Sequence, residues 1–147
     1  MAEYFEQDLA RNAGGVNVGL ARAIYRHCAD DLKAPVYYRN ERHRSGGGGQ
    51  RQTIFQTAAT GNYFLVIDLQ VIGRLRLAFP DKEDRIYDRG VVRGNRGQWA
   101  VKREKQIDLA DDSSPEYRQW VFNLIDRVHA NAMEYYQRPR GAKGRGG

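Results

Sequence analysis

Residues 114–137, SPEYRQWVFNLIDRVHANAMEYYQ, carry the pattern that decides the fold. Ser114 suits the cap of a helix and Pro115 its first position, although Ser113 with Glu116 is an alternative start. Apolar side chains then recur at steps of three and four residues, which places one broad stripe on a single helix face: Tyr117, Trp120, Val121, Leu124, Ile125, Val128, Ala132 and Tyr135. We therefore expect a C-terminal amphipathic helix packed on a sheet.

The middle of the chain predicts that sheet. Residues 63–69 are almost entirely apolar, as in a central strand covered on both faces. Residues 74–79 alternate, so Leu75, Leu77 and Phe79 should point to the core while Arg74 and Arg76 point outward. Further strand candidates are residues 53–57, 86–87, 91–92 and 98–103, with a hairpin loop at 94–97.

Two helices are expected before the sheet, at residues 2–12 and from a cap at Asn17 to about residue 33. The predicted fold class is α+β: N-terminal helices, a twisted antiparallel sheet of about four to six strands, and the C-terminal helix on one face. A chain of 147 residues is sufficient for one such domain, which we place at residues 1–138. Residues 39–52 should form a flexible, basic, glycine-rich loop, and residues 139–147 a disordered Arg/Gly tail.

The chain has the features of a cytosolic protein. Its single cysteine, Cys28, has no partner for an internal disulfide, which favours a reducing compartment. The longest apolar run, residues 63–69, is far shorter than the roughly 18 residues needed to cross a bilayer. The acidic, amphipathic N-terminus is unlike a signal peptide. We therefore expect no membrane partner.

The distribution of charge favours an anionic partner. Net charge is +6, and residues 39–105 hold fourteen basic side chains against seven acidic ones. Nineteen of the 24 basic residues are arginines, whose planar guanidinium groups bind phosphate in a bidentate manner and stack on bases. The tail adds four more positive charges and resembles RGG-type segments in composition. A solvated basic surface that only aids solubility is the alternative interpretation.

These features together predict a non-catalytic nucleic-acid-binding protein, and the ligand most compatible with them is single-stranded RNA or DNA. Basic side chains would hold phosphates while aromatic rings stack on bases, with no cofactor and no metal. The layout of arginines on one sheet face and a helix on the other is similar to that of small single-strand-binding proteins. The candidate binding residues are Arg74, Arg76, Arg89, Arg93, Arg96, Trp99, Lys102 and Arg103 on one basic face, Arg42 and Arg44 in the loop, and Arg140, Lys143 and Arg145 in the tail.

Two other functions are compatible with the sequence. A metal-dependent nuclease would need clustered carboxylates beside a lysine, for which Asp68, Glu83, Asp84 and Glu104 are the candidates, with Lys102 or Lys105 near the phosphate. A protein-interaction module, such as a phage-type inhibitor or an assembly subunit, would instead use the N-terminal helices to bind a protein partner or a second copy of the chain.

Overall fold

A computed structural model describes residues 2–12, 16–41, 50–69, 73–94 and 98–137. Two N-terminal helices and a short π-helical turn precede a six-stranded sheet, and a long helix follows it. The elements are α1 (Glu3–Arg11), α2 (Val18–Arg26), the π-helix (His27–Asp31), β1 (Val36–Glu41), β2 (Gln50–Gln56), β3 (Tyr63–Asp68), β4 (Leu75–Pro80), β5 (Val92–Arg93), α3 (Gln98–Lys102), β6 (Glu104–Leu109) and α4 (Pro115–Tyr136).

The sheet is antiparallel throughout, with strand order β1-β2-β3-β4-β6-β5. The predicted α+β class is therefore confirmed, as is the central position of β3 within the sheet. In β4, Leu75, Leu77 and Phe79 are buried while Arg76 is only half-buried, as their alternation predicts.

Helix α4 covers one face of the sheet, which we call the inner face. The side chain of Ser114 caps the helix by accepting a hydrogen bond from the backbone N–H of Tyr117 at 3.1 Å. The residues that α4 buries are Val121, Leu124, Ile125, Val128 and Ala132. Full burial of a valine, leucine or isoleucine side chain stabilises the fold by roughly 1.5–3 kcal/mol.

The N-terminal helices join the same core. Asn17 caps α2 as predicted, because its Oδ1 accepts from the backbone N–H of Leu20 at 3.0 Å. The regular α-helix ends at Arg26, however, and a π-helical turn continues to Asp31. Lys33 then adopts a positive φ of 55°, which turns the chain toward β1.

Three local predictions differ from the structure. Residues 98–103 contain the short helix α3 rather than a strand, and the strand lies at residues 104–109. Residues 86–87 lie in an irregular segment. Strands β1 and β2 extend into both ends of the expected 39–52 loop. The remainder of that loop, residues 42–49, and the predicted tail, 139–147, lie outside the described residues, and so do the candidates Arg42, Arg44, Arg96, Arg140, Lys143 and Arg145.

Across the described part of the chain, no helix combines the length and apolar character needed to span a membrane.

Candidate nucleic-acid interface

The face of the sheet opposite α4, which we call the outer face, has its own small apolar cluster. Ile54, Val66 and Ala78 are buried there, with Tyr63 packed against them. Ile54 pairs with Val66, and Val66 pairs with Ala78, so the cluster spans β2, β3 and β4. The described members of this cluster all lie on strands. The outer face therefore has an apolar floor of its own, whose three buried side chains are at most 8% exposed.

A cavity of about 220 Å³ opens above this floor. Two tyrosines line the cavity. Tyr37 lies on β1 and pairs with Ile54 of β2, and Tyr63 lies at the start of β3. A register shift between β2 and β3 lets Tyr63 share the outer face while the next residue, Phe64, enters the inner core. The cavity is lined by Tyr37, Arg39, Ile54, Tyr63, Val66, Lys82, Lys102 and Glu104.

A hydrogen bond fixes the polar end of the cavity. The hydroxyl of Tyr63 donates to Oε2 of Glu104 at 2.9 Å, joining β3 to β6 across β4. Burial raises the pKa of Tyr63, and the neighbouring negative charge of Glu104 raises it further. Tyr63 thus stays protonated at neutral pH and holds the carboxylate in one position at the cavity wall.

Three cations line the same cavity against this one carboxylate. Arg39, Lys82 and Lys102 are all exposed. Nη2 of Arg39 donates to Oε1 of Gln52 at 3.3 Å, and Nζ of Lys82 donates to the carbonyl of Lys102 at 3.3 Å. Each of these side chains carries several N–H donors, since a guanidinium has five N–H groups and an ammonium three.

A second basic site surrounds Trp99 on α3, which is half-buried. The guanidinium of Arg93 lies 4.5 Å from the centre of the Trp99 ring and that of Arg103 lies 5.1 Å from it. Arg93 also forms a 3.0 Å ion pair with Asp84. This Trp99 corner therefore combines an aromatic ring with two arginines, one of which, Arg93, is partly neutralised by Asp84.

Lys105 lies beneath the corner and is almost completely buried. Its Nζ is 2.8 Å from Asp81 and 2.9 Å from Asp84, and it donates to the carbonyl of Ile86 at 2.6 Å. Burial alone would lower the pKa of Lys105, but hydrogen bonds to both carboxylates raise it above its ordinary value. Three oxygen atoms of the protein thus lie within 3 Å of the ammonium group, which indicates a structural role.

Arg74 and Arg76 lie at the other end of the sheet. Nε of Arg76 is 2.7 Å from Oδ1 of Asp108, and Nη1 of Arg74 is 3.3 Å from its Oδ2. The hydrogen bond from Arg76 lowers the pKa of Asp108, which therefore stays ionised. Arg76 lies four residues from the row of Pro80 and Glu104, or roughly 13 Å away at about 3.3 Å per residue, and Arg74 lies two residues farther.

The described basic candidates thus do not form one face. Arg89 stacks on Trp120 of α4 at 4.9 Å, on the helical side of the molecule. Lys102 lines the outer-face cavity, whereas Arg93 and Arg103 flank Trp99 above the buried Lys105. Because side chains alternate along β6, Glu104 and Lys105 point to opposite faces. The cavity and the Trp99 corner therefore meet around the N-terminal end of β6.

The carboxylates considered for a nuclease are engaged separately. Asp84 pairs with Lys105 and Arg93, Glu83 with Arg85 at 3.1 Å, and Glu104 with Tyr63. Asp68 lies opposite Arg76 at the far end of the sheet. Within the described ranges, no three His, Cys, Asp or Glu residues are grouped so as to hold a metal ion.

Four aromatic or basic residues of the cavity were not among the sequence candidates: Tyr37, Arg39, Tyr63 and Lys82. A signal for Tyr37 was present, because residues 36–38 are β-branched or aromatic, as is common in strands, but the adjacent glycine run made the segment from residue 39 resemble a loop. No sequence signal places Lys82, on the turn after β4, beside Lys102. That proximity comes from the pairing of β4 with β6.

The chain matches no model of a known protein family, and it has no significant similarity to a characterised protein or to a solved structure.

Proposed function

We propose that this protein binds single-stranded nucleic acid, RNA or DNA, on the outer face of its sheet, without catalysing a reaction. The observation that carries the proposal is the outer-face cavity, where an apolar floor and two tyrosines lie beside Arg39, Lys82 and Lys102. Single-strand binders use this combination, because aromatic and apolar groups contact base faces while cations engage the phosphates.

The size of the cavity supports an unpaired ligand. About 220 Å³ is less than the roughly 300–1,000 Å³ of pockets that enclose drug-sized molecules. It suits one flat group inserted edge-on, such as a base that is not stacked within a duplex. The Trp99 corner, reached around the end of β6, would extend the contact to neighbouring nucleotides.

A binding titration tests the proposal. Fluorescence anisotropy with labelled twenty-nucleotide oligothymidylate and oligouridylate should show affinity that falls steeply with salt, because each phosphate contact on a single strand contributes about 0.7 to the logarithmic slope. The double variant Lys82→Gln/Lys102→Gln should reduce that slope by about 1.4 and weaken binding at least about tenfold at 0.1 M salt.

The matched control is Arg11→Gln/Arg118→Gln, which removes two exposed positive charges from α1 and α4. It has the same net charge as the cavity variant, so general charge attraction would weaken both equally. Binding that is absent, independent of salt, or equally weakened in the two variants would exclude the outer face as the site.

We further propose a reducing compartment, such as the cytosol, as the place where this binding occurs. Cys28 is fully buried in the core, and burial raises the pKa of its thiol. A thiol in this position contributes apolar packing rather than redox chemistry. Fractionation of cells that produce the chain would locate it.

A further inference from the structure

The carboxylate of Glu104 is an unexpected group in a site for a polyanion. It repels phosphate, yet it lies at the wall of the cavity, beside the apolar floor and held by the Tyr63 hydroxyl. The three surrounding cations offset its charge for the ligand as a whole. A carboxylate held in one position next to an apolar surface is suited to accept hydrogen bonds from the donor groups on the edge of a base.

The four bases differ in what they offer to such an acceptor. Adenine and cytosine each place one amino donor beside a ring nitrogen acceptor, and uracil or thymine places one N–H between two carbonyl oxygens. Only guanine has two neighbouring donors, N1–H and the N2 amino group, on one edge. A carboxylate has two oxygens that accept in parallel, so it matches guanine and opposes the acceptors of the other bases.

We propose, building on the proposed function, that the outer-face cavity selects an unpaired guanine, with Glu104 accepting from its N1–H and N2 amino groups. The base would enter the cavity edge-on, beside the exposed Tyr37 and above the buried Ile54 and Val66, while Lys82 and Lys102 engage the flanking phosphates. Tyr63 is a positioning residue, since its hydroxyl donates to the carboxylate and thereby orients it.

The test uses the wild-type chain and fifteen-nucleotide oligothymidylates with one central substitution. Guanine at that position should strengthen binding at least about fivefold over thymine, adenine or cytosine, which is the lower range for a bidentate base contact. Inosine, which keeps N1–H but lacks the amino group, should lose most of that gain. This comparison needs no variant and is independent of any effect on folding.

Two variants assign the preference to the proposed residues. Glu104→Gln should bind all the oligonucleotides within about twofold of one another, because an amide presents one acceptor and one donor instead of two acceptors. Tyr63→Phe should reduce the preference without abolishing it. The control Glu116→Gln makes the same charge change on the exposed start of α4 and should keep the full preference.

The outcomes separate this inference from the proposed function. Salt-dependent binding of every oligonucleotide with no preference for guanine, or with a preference that Glu104→Gln retains, would overturn guanine selection and leave the general binding function in place. If no oligonucleotide binds, both proposals are wrong.

Discussion

Glu104 and Lys105 are neighbours on β6, and the structure uses them in opposite ways. Lys105 points to the inner face, where its side chain is 2% exposed and contacts two carboxylates and a carbonyl. Glu104 points to the outer face, where it accepts one hydrogen bond beside an open cavity. Charge on a strand is thus a weak indicator of function by itself. What distinguishes the two residues is whether the protein already satisfies the charge.

The inner-face network organises the chain between β4 and β5. Asp81 is fully buried, and its two oxygens accept from the backbone N–H groups of Arg85 at 2.9 Å and Ile86 at 2.7 Å. Burial alone would raise the pKa of Asp81, but these hydrogen bonds and Lys105 lower it. The carboxylate contributes stability above its ordinary pKa of about 3.8, and that stability is lost as pH falls through the lowered value.

The largest expected effect comes from breaking this network. Replacing Lys105 by methionine leaves Asp81 buried without its cation, and removing one partner of a buried ion pair costs about 3–5 kcal/mol. The free energy of unfolding, measured by urea denaturation at pH 7, should fall by that amount. Lys102→Met removes the same charge three residues earlier, on the outer face, and should change stability by less than about 0.5 kcal/mol. Equal effects of the two substitutions would contradict the division between the faces.

Lys105 also explains why sequence patterns misplaced this part of the fold. The apolar periodicity of α2, β3, β4 and α4 was sufficient to predict those elements, because each buries an apolar face. In β6 the buried position before Ile107 is a lysine, so the strand does not alternate in hydrophobicity. Trp99 then gave residues 98–103 a β-like composition, although they form a short helix before Arg103 reverses the chain at a φ of 52°.

The site was less predictable than the fold, since it depends on contacts between distant segments. Arginine content and Trp99 indicated an anion-binding surface, but Asp108 neutralising Arg74 and Arg76 depends on the pairing of β4 with β6. Tyr37, Tyr63 and Lys82 line one cavity only because β1, β2, β3 and β4 pair in the observed register. Such pairings are decided by the whole sheet rather than by local sequence.

An intermediate effect on stability is expected at His27, whose ion pairs are only partly shielded from solvent. Its side chain is 12% exposed and its ring nitrogens lie 2.6 Å from Asp126 and 2.9 Å from Asp31. Burial alone would lower the pKa of His27, but the hydrogen bonds to both carboxylates raise it. The protonated form therefore stabilises the fold below pH 6.5, the ordinary pKa, and this stabilisation is lost as pH rises through the raised value.

Urea denaturation from pH 6 to pH 9 measures the effect. The wild-type chain should lose about 1 kcal/mol over this range through His27, a size typical of partly exposed ion pairs. His27→Gln should remove that loss. His129→Gln is the control variant. Burial chiefly lowers the pKa of His129, so its contribution to stability is lost only as pH falls below 6.5, and the loss between pH 6.5 and pH 9 should persist in this variant. A loss that persists in His27→Gln would assign the pH dependence to another group.

The smallest effect on stability, and the sharpest test of whether charge satisfaction decides function, is expected at Asp108. Its side chain is 40% exposed, so Asp108→Asn should cost less than about 1 kcal/mol, because solvent and salt screen such pairs. The same change removes the carboxylate that Arg74 and Arg76 share, so both become more available to phosphates on the outer face, although Asp68 remains opposite Arg76. We therefore expect a gain in binding from the loss of an ion pair: roughly three- to tenfold tighter binding of twenty-nucleotide oligothymidylate, with a salt slope steeper by up to about 1.4. A two-nucleotide strand held at Glu104 should show little of this gain, because Arg76 and Arg74 lie four and six residues, or roughly 13 and 20 Å, away along the chain of β4. If both lengths gain equally, the added net charge rather than the released arginines is responsible, and if neither gains, the nucleic acid does not pass over this end of the sheet.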